Sequence, residues 1–400
     1  MLQGVPTPHS PQALADLRQT AARSDRSTQI NEIAEALRDR TNPAEMVPRH
    51  APLLDFHGTS SAALSSIARA GLVPSGELLN ENRAPFTGEL QIGFIDRIGI
   101  NRDSVSVVSA WGLEHAVQYA LEQARPWSRA QNAAQLAEAE AWLASVGSSV
   151  TPSLGDAAER MIKLLRLRDS QSANLTDREG NELSDPFPIV IGVCPHRGMT
   201  TKEARSDISS ERGIVGRVAP ANLVAFVPAP MLARAQALAD GHPLRIEPFT
   251  ELGEYTVDHS RAVKQFLRGL PIFDAARPSD LVALVPKLTD AHKTLFLFTA
   301  RKISAWCESP DPIIAKEAVS VLRMIASGAL TTTPLTSMCL YNLKQFGDRS
   351  DLPLFAKAAK ENSGAYRYEY PRALIALGNF PERTLGTALY AKNWVVDLFR

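Results

Sequence analysis

Every β-like run in this chain falls before residue 230, and strand signals fade after Pro248. The runs are Val105-Ser106-Val107-Val108, Ile189-Val190-Ile191-Gly192-Val193, Gly213-Ile214-Val215 and Leu223-Val224-Ala225-Phe226-Val227. Short runs rich in β-branched residues and bounded by Gly, Pro and Ser suit a pleated, half-buried surface. Helix-forming segments separate them and then continue alone to Arg400. This division predicts an α+β domain over residues 51–235 and an all-α domain over 245–400. A chain of 400 residues is long enough for both.

Residues 1–50 read as a polar arm with one helical candidate, marked by Ile30, Ile33, Ala34 and Leu37. Residues 125–185 read as a helical insert. Strong helix formers occupy 133–143 and 156–167, and the turn signal Glu179-Gly180-Asn181 follows. The insert is a peripheral helical hairpin or a lid over a substrate. In the C-terminal part, Ser279-Asp280, Ser309-Pro310-Asp311 and Ser350-Asp351 each precede an apolar helix, at Asp intervals of 31 and 40 residues. The intervals fall near those of two-helix HEAT-like repeats, and an irregular bundle gives the same impression.

Lys+Arg and Asp+Glu are equal at 43 each, so no net field draws nucleic acid or an anionic membrane over long range. Neither is expected as a partner. Cys194, Cys307 and Cys339 are odd in number and widely spaced, which argues against a disulfide framework or a zinc knuckle. No metal is expected. His196 has no second ligand at metal spacing and reads as a loop residue. No apolar run approaches the ~20 residues that span a bilayer. The first 13 residues mix Pro, Gln, Ser and Thr without an early Lys or Arg, unlike a general secretory signal.

The most chemically loaded segment is Asp55-Phe56-His57-Gly58-Thr59-Ser60, continuing through Leu64, Ile67 and Ala68 to Gly71-Leu72. Leu54 and Phe56 suit a buried strand, and Gly58 allows a ligand to approach the backbone. Thr59 or Ser60 can cap the helix that follows, and Gly71 stands where that helix needs a left-handed stop. The expected local order is strand, ligand-tolerant turn, helix, stop. Downstream, Ser104 to Ser109 form a β-like run, Leu113, Ala116, Val117 and Ala120 mark a helix carrying Tyr119, and Glu211 opens a strand.

The order His57-Gly58-Thr59, strand and helix, then Glu211 resembles the ADP-ribosyltransferase superfamily, in its diphtheria-toxin and poly-ADP-ribose-polymerase branch. The resemblance covers residues 53–230. It implies an ADP-ribosyltransferase-like split β-sandwich; the helical insert has no counterpart in the minimal fold, and the all-α C-terminal domain, HEAT-like or irregular, lies outside the resemblance. It implies NAD as co-substrate, with His57 on the adenosine ribose, the Gly58 main chain on the nicotinamide carboxamide, and Glu211 on the nicotinamide-ribose 2′-hydroxyl. Thr59, Ser109, Trp111 and Tyr119 complete the implied cofactor-binding set, and Ser109, Trp111 and Tyr119 compete for the place beside nicotinamide. His57 and Glu211 are expected on adjacent central strands, facing one cleft between two short sheets.

Ser209 stands where arginine-modifying relatives carry a second glutamate, which disfavours simple arginine modification. A transferase, a helical target-binding domain and a polar leader together resemble a bacterial type III effector. Its expected place is the host cytoplasm, reached without the Sec route, and its partners are a host target protein and, in some such enzymes, a host activator. Two other functions remain open at this point. One is an inactive transferase fold serving as a protein-interaction module. The other is an NAD-dependent RNA 2′-phosphotransferase, to which the balanced charge gives little support.

Overall fold

The structure, a computed structural model, describes residues 53, 55–80, 103–124, 186–195, 198–203, 210–256, 261–331, 333–361 and 368–398, with scattered positions between 133 and 166. The expectations for the 1–50 arm, Leu54, His196, Ser209 and most of the 125–185 insert lie outside these residues. The described insert positions, such as Leu136, Ile162 and Leu165, are helical, and Arg166 pairs there with Glu140 at 2.6 Å. The chain divides into one unit ending at Leu267 and a second from Arg268 to Arg400.

The first unit is α+β, as expected. Its strands are β1 (Asp55–Ser60), β2 (Ser104–Ser109), β3 (Pro188–Val193), β4 (Thr201–Glu203), β5 (Glu211–Val215), β6 (Leu223–Val227) and β7 (Arg245–Pro248). They form one sheet in the order β4-β5-β2-β1-β3-β6-β7, antiparallel throughout except for the parallel β6/β7 pair. The polar strands β4 and β7 carry no alternating apolar signal and are invisible to a reading by periodicity. Because β7 joins the sheet, the first unit runs past the expected boundary at 235–245 and includes helices α5 (Leu252–Tyr255) and α6 (Arg261–Leu267), which follow α1 (Ser61–Ala70), α2 (Ser75–Asn80), α3 (Leu113–Gln123) and α4 (Leu232–Ala239).

Cross-strand register decides which side chains share a face, since facing positions alternate with period two. One face carries Val105, Val107, Ile189, Ile191, Val193, Ile214, Leu223 and Ala225, all buried in a single core with Leu64, Ile67 and Ala68 of α1 and Ala235 and Ala239 of α4. Each such large apolar side chain contributes roughly 1.5–3 kcal/mol on burial. The opposite face of β1 lies under α3, whose buried stripe is Leu113, Ala116, Val117 and Ala120. Those four are the residues whose spacing predicted the helix.

The expected turn at Gly58 is absent. β1 continues through Thr59 and Ser60, and α1 starts at Ser61. Ser60 occupies the N-cap position without a side-chain bond to the first turn. At the other end the stop is as expected: Gly71 has φ +76°, donates to the Ile67 carbonyl at 2.8 Å, and leads into Leu72, which bridges Val218.

The second unit is helical in all its described elements. Helices Lys293–Cys307, Pro312–Ala326 and Pro334–Phe346 pack mutually, and Leu352–Glu361, Glu369–Leu377 and Phe380–Leu398 extend the arrangement. Pro at the first position of the second and third helices is favoured there because its missing N–H is not needed. The three Ser/Asp segments are not equivalent caps. Asp311 accepts from Ile313 N across the helix start, Asp280 accepts from Ala276 N and Arg277 N, and at the third site Asp348 is the cap, answered by Asp351. Arg323 grips both of these last carboxylates at 2.7 Å. A regular repeat would place one motif at all three.

Candidate active site

The β1/β2 seam is only two residue pairs long, Asp55 with Ser109 and Phe56 with Val108. On its other side β1 pairs with β3 over its whole length. Ser61 N donates to the Phe187 carbonyl in continuation of the β1/β3 ladder, so odd-numbered β1 residues turn their main chain toward β3 and even-numbered ones toward β2. Gly58 is thus the residue whose N–H and C=O face β2 just beyond the last pair. The imidazole of His57 takes its place: Nδ1 donates to the Ser106 carbonyl at 2.8 Å. A side chain wedges the sheet open where a ladder bond would otherwise close it.

A carbonyl can only accept, so Nδ1 carries the proton and Nε2 of the neutral ring is left as an acceptor. Burial pushes the His57 imidazole below its ordinary value of 6.5, opposed in part by the Ser106 carbonyl and the nearby Glu211 charge. The folded protein therefore binds this proton less readily than the unfolded chain. The resulting stability is fully present above about pH 6.5 and is lost as pH falls through the lowered folded value. Melting temperatures taken from about pH 7.5 to about pH 5 should fall more steeply for the wild type than for His57→Gln. Parallel curves would mean that the ring is not held neutral.

Glu211 opens β5 as predicted and sits opposite Val108. Its carboxylate leans toward the open end of the seam, where Ser106 Oγ donates to Oε1. Oε2 is buried and has no hydrogen-bond partner among the described residues. The partners that would make this an ordinary strand-edge carboxylate are engaged elsewhere: Arg212 Nε binds Asp55 at 2.6 Å, and Arg217 binds Glu77. An unpaired buried carboxylate oxygen costs stability and calls for a ligand hydroxyl or amide to offset it.

Two expectations about this geometry need correction. His57 and Glu211 are not on adjacent strands, because β2 lies between them. By register Glu211 shares a face with Val108, Phe56 and Gly58, whereas His57 shares the other with Asp55, Val107 and Ile191. Nor do two separate sheets enclose them: one sheet is parted at its centre. Ser106, which sequence reasoning passed over as part of a β-like run, joins the two, with its carbonyl on His57 and its hydroxyl on Glu211. Strict alternation in Ser104-Val105-Ser106-Val107 was the available signal, since it puts the two serines on the face away from the core.

Of the other predicted residues, the structure brings Tyr119 to the seam and leaves the rest at its margins. α3 lies so close on Gly58 that a Cβ there would be 2.7 Å from Tyr119 Cβ and 2.0 Å from the Ala116 carbonyl oxygen. Gly58 is therefore required by a helix backbone, not by the approach of a ligand from that face. Thr59 is buried beside Ile189 on the core face. Ser109 pairs with Asp55 and donates its N–H to the Ser210 carbonyl, at the closed end of the seam. Trp111 is 50% exposed on the short 3-10 turn Ala110–Gly112 that follows, and this turn packs on Ser210 through Gly112.

Among the described residues no group of three His, Cys, Asp or Glu side chains could hold a metal ion, and no helix is long and apolar enough to cross a membrane. Compared with known proteins, the chain matches no family model, no curated sequence and no solved structure.

Proposed function

We propose that the first unit is an NAD-dependent protein ADP-ribosyltransferase with an ADP-ribosyltransferase-like fold. The observation that carries the reading is the parted β1/β2 seam with the unpartnered Glu211 Oε2 at its mouth. The residues present suit a dinucleotide: the Gly58 main chain offers a donor and an acceptor to a carboxamide, His57 Nε2 accepts from a ribose hydroxyl, and Glu211 Oε2 accepts from another. Tyr119, rooted beside Gly58, is the favoured aromatic neighbour of the nicotinamide.

NAD supplies an activated glycosidic bond, whose electron pair leaves with nicotinamide. Glu211 accepts a hydrogen bond from the 2′-hydroxyl, and a fixed anion there stabilises the positive charge that develops at the anomeric carbon more than it stabilises the ground state. Ser106 holds that carboxylate in one rotamer, so the anion is in place before reaction. The all-α unit is assigned to binding of a host target protein, and the polar leader to export by a non-Sec, type III-like route.

Full-length protein incubated with labelled NAD and host-cell lysate should release nicotinamide and transfer label to a protein band. The reading is abandoned if neither nicotinamide nor a labelled protein appears. If 2′-phosphorylated RNA is consumed with formation of ADP-ribose cyclic phosphate, the RNA phosphotransferase reading replaces it.

A further inference from the structure

We infer that His115 is a general base of this cleft, taking the proton of a hydroxyl acceptor on the target protein; the inference rests on the transferase reading above. His115 lies on α3, whose buried stripe of Leu113, Ala116, Val117 and Ala120 faces β1. Steps of three and four residues put Gly112, His115 and Tyr119 along one flank of that stripe. Close contacts fix both ends of the flank. A Cβ on Gly112 would lie 2.1 Å from Ser210 Oγ and 3.2 Å from Val108 Cβ, and Val108 is the register partner of Glu211. At the other end Tyr119 Cβ stands over Gly58. The two ends are about 10 Å apart along the helix axis. His115 sits between them, on the side of α3 toward β2 and β5, over the sheet face that carries Ser106 and Glu211.

Two buried atoms on this side of the sheet lack partners. His115 Nδ1 and Glu211 Oε2 are each screened from solvent, and neither has a hydrogen-bond partner among the described residues. With the ring proton on Nε2, Nδ1 offers a free lone pair. An imidazole kept only for packing gains nothing from an unsatisfied buried nitrogen, which costs stability. The neighbouring groups are committed: His57 Nδ1 to the Ser106 carbonyl, and the Ser106 hydroxyl to Glu211. In the transfer step the acceptor oxygen bonds to the anomeric carbon, the glycosidic C–N bond breaks, and its electron pair leaves with nicotinamide. The acceptor O–H becomes strongly acidic as the new bond forms, and its proton passes to His115 Nδ1. A hydroxyl suits this base because its attacking lone pair is already free. A guanidinium has none to offer until it gives up a proton that imidazole is too weak to take. A carboxylate acceptor has no proton to give and would face the charge of Glu211.

The test compares wild type and His115→Ala in the reaction with labelled NAD and host-cell lysate, reading label on protein against nicotinamide released. Alanine suits a helix and Nδ1 has no bond to lose, so the variant should melt with the wild type. Its ratio of label to nicotinamide should fall about 10²-fold, the lower range for loss of a general base, and added imidazole should restore part of it. Label on the wild-type target should survive neutral hydroxylamine, which cleaves the ester that a carboxylate acceptor would carry. An unchanged ratio in His115→Ala, or a loss that imidazole does not restore, overturns the base and leaves the transferase reading standing. Label removed by hydroxylamine overturns the hydroxyl acceptor. If the wild type neither releases nicotinamide nor labels a protein, the transferase reading itself fails, and the base with it.

Discussion

Glu211→Gln is expected to slow nicotinamide release from NAD by about 10²–10³-fold, the range for loss of one preorganised electrostatic group, without lowering the melting temperature. The structure separates these two effects. Gln keeps the size of the side chain and an oxygen for the Ser106 hydroxyl, so packing and the Oε1 bond survive. What disappears is the charge on a buried carboxylate whose second oxygen has no partner among the described residues. Relief of such a group should leave stability level or raise it by about 1 kcal/mol, roughly 2–4 °C for a unit of this size. Melting curves and nicotinamide release on the same preparations decide the matter. A variant that loses activity only in proportion to a lowered melting temperature would make Glu211 a structural residue.

That opposition of stability and function was partly legible in the sequence. Glu211 could be placed at the start of a strand because Ser209-Ser210 precede it and Gly213-Ile214-Val215 follow, and α3 could be read from Leu113, Ala116, Val117 and Ala120. Both follow from local periodicity. The strand order does not: nothing near His57 or Glu211 shows that β2 separates them, because β2 pairs with residues more than 50 positions before it in β1 and more than 100 positions after it in β5. Ser106 and the Asp55–Arg212 pair were missed for the same reason, since each acquires its role only from a neighbour brought in by register. β4 and β7 were missed because edge strands with polar residues need no apolar alternation.

Register also explains how one short segment can serve both sides of the sheet. His57 replaces a ladder bond with a side-chain bond, and this single exchange parts β1 from β2 while β1/β3 pairing stays intact. Backbone groups that a sheet normally consumes become available at its centre, flanked by Glu211 on one face and Arg212 on the other. Among the described residues the site is built from β1, β2, β5 and α3, and its geometry depends on how firmly α3 packs on Gly58.

Gly58→Ala tests that packing, and it should be strongly destabilising. The new Cβ would stand 2.0 Å from the Ala116 carbonyl oxygen, 2.7 Å from Ala120 N and 2.7 Å from Tyr119 Cβ. Each of these is main chain or the root of a side chain, so no flexible end can swing aside and α3 must lift from β1. Overpacking costs typically 1–3 kcal/mol, and a backbone collision belongs at the upper end, about 3 kcal/mol or roughly 6–12 °C. Gly253→Ala is the control, because nothing lies within 4 Å of its added Cβ and its helix gains from alanine. It should melt at or slightly above the wild-type temperature. Had Gly58 been needed only to admit a ligand, Gly58→Ala would melt like this control and lose NAD binding alone; a melting temperature within a degree of wild type would therefore show that the helix is not seated on this residue and that the ligand is.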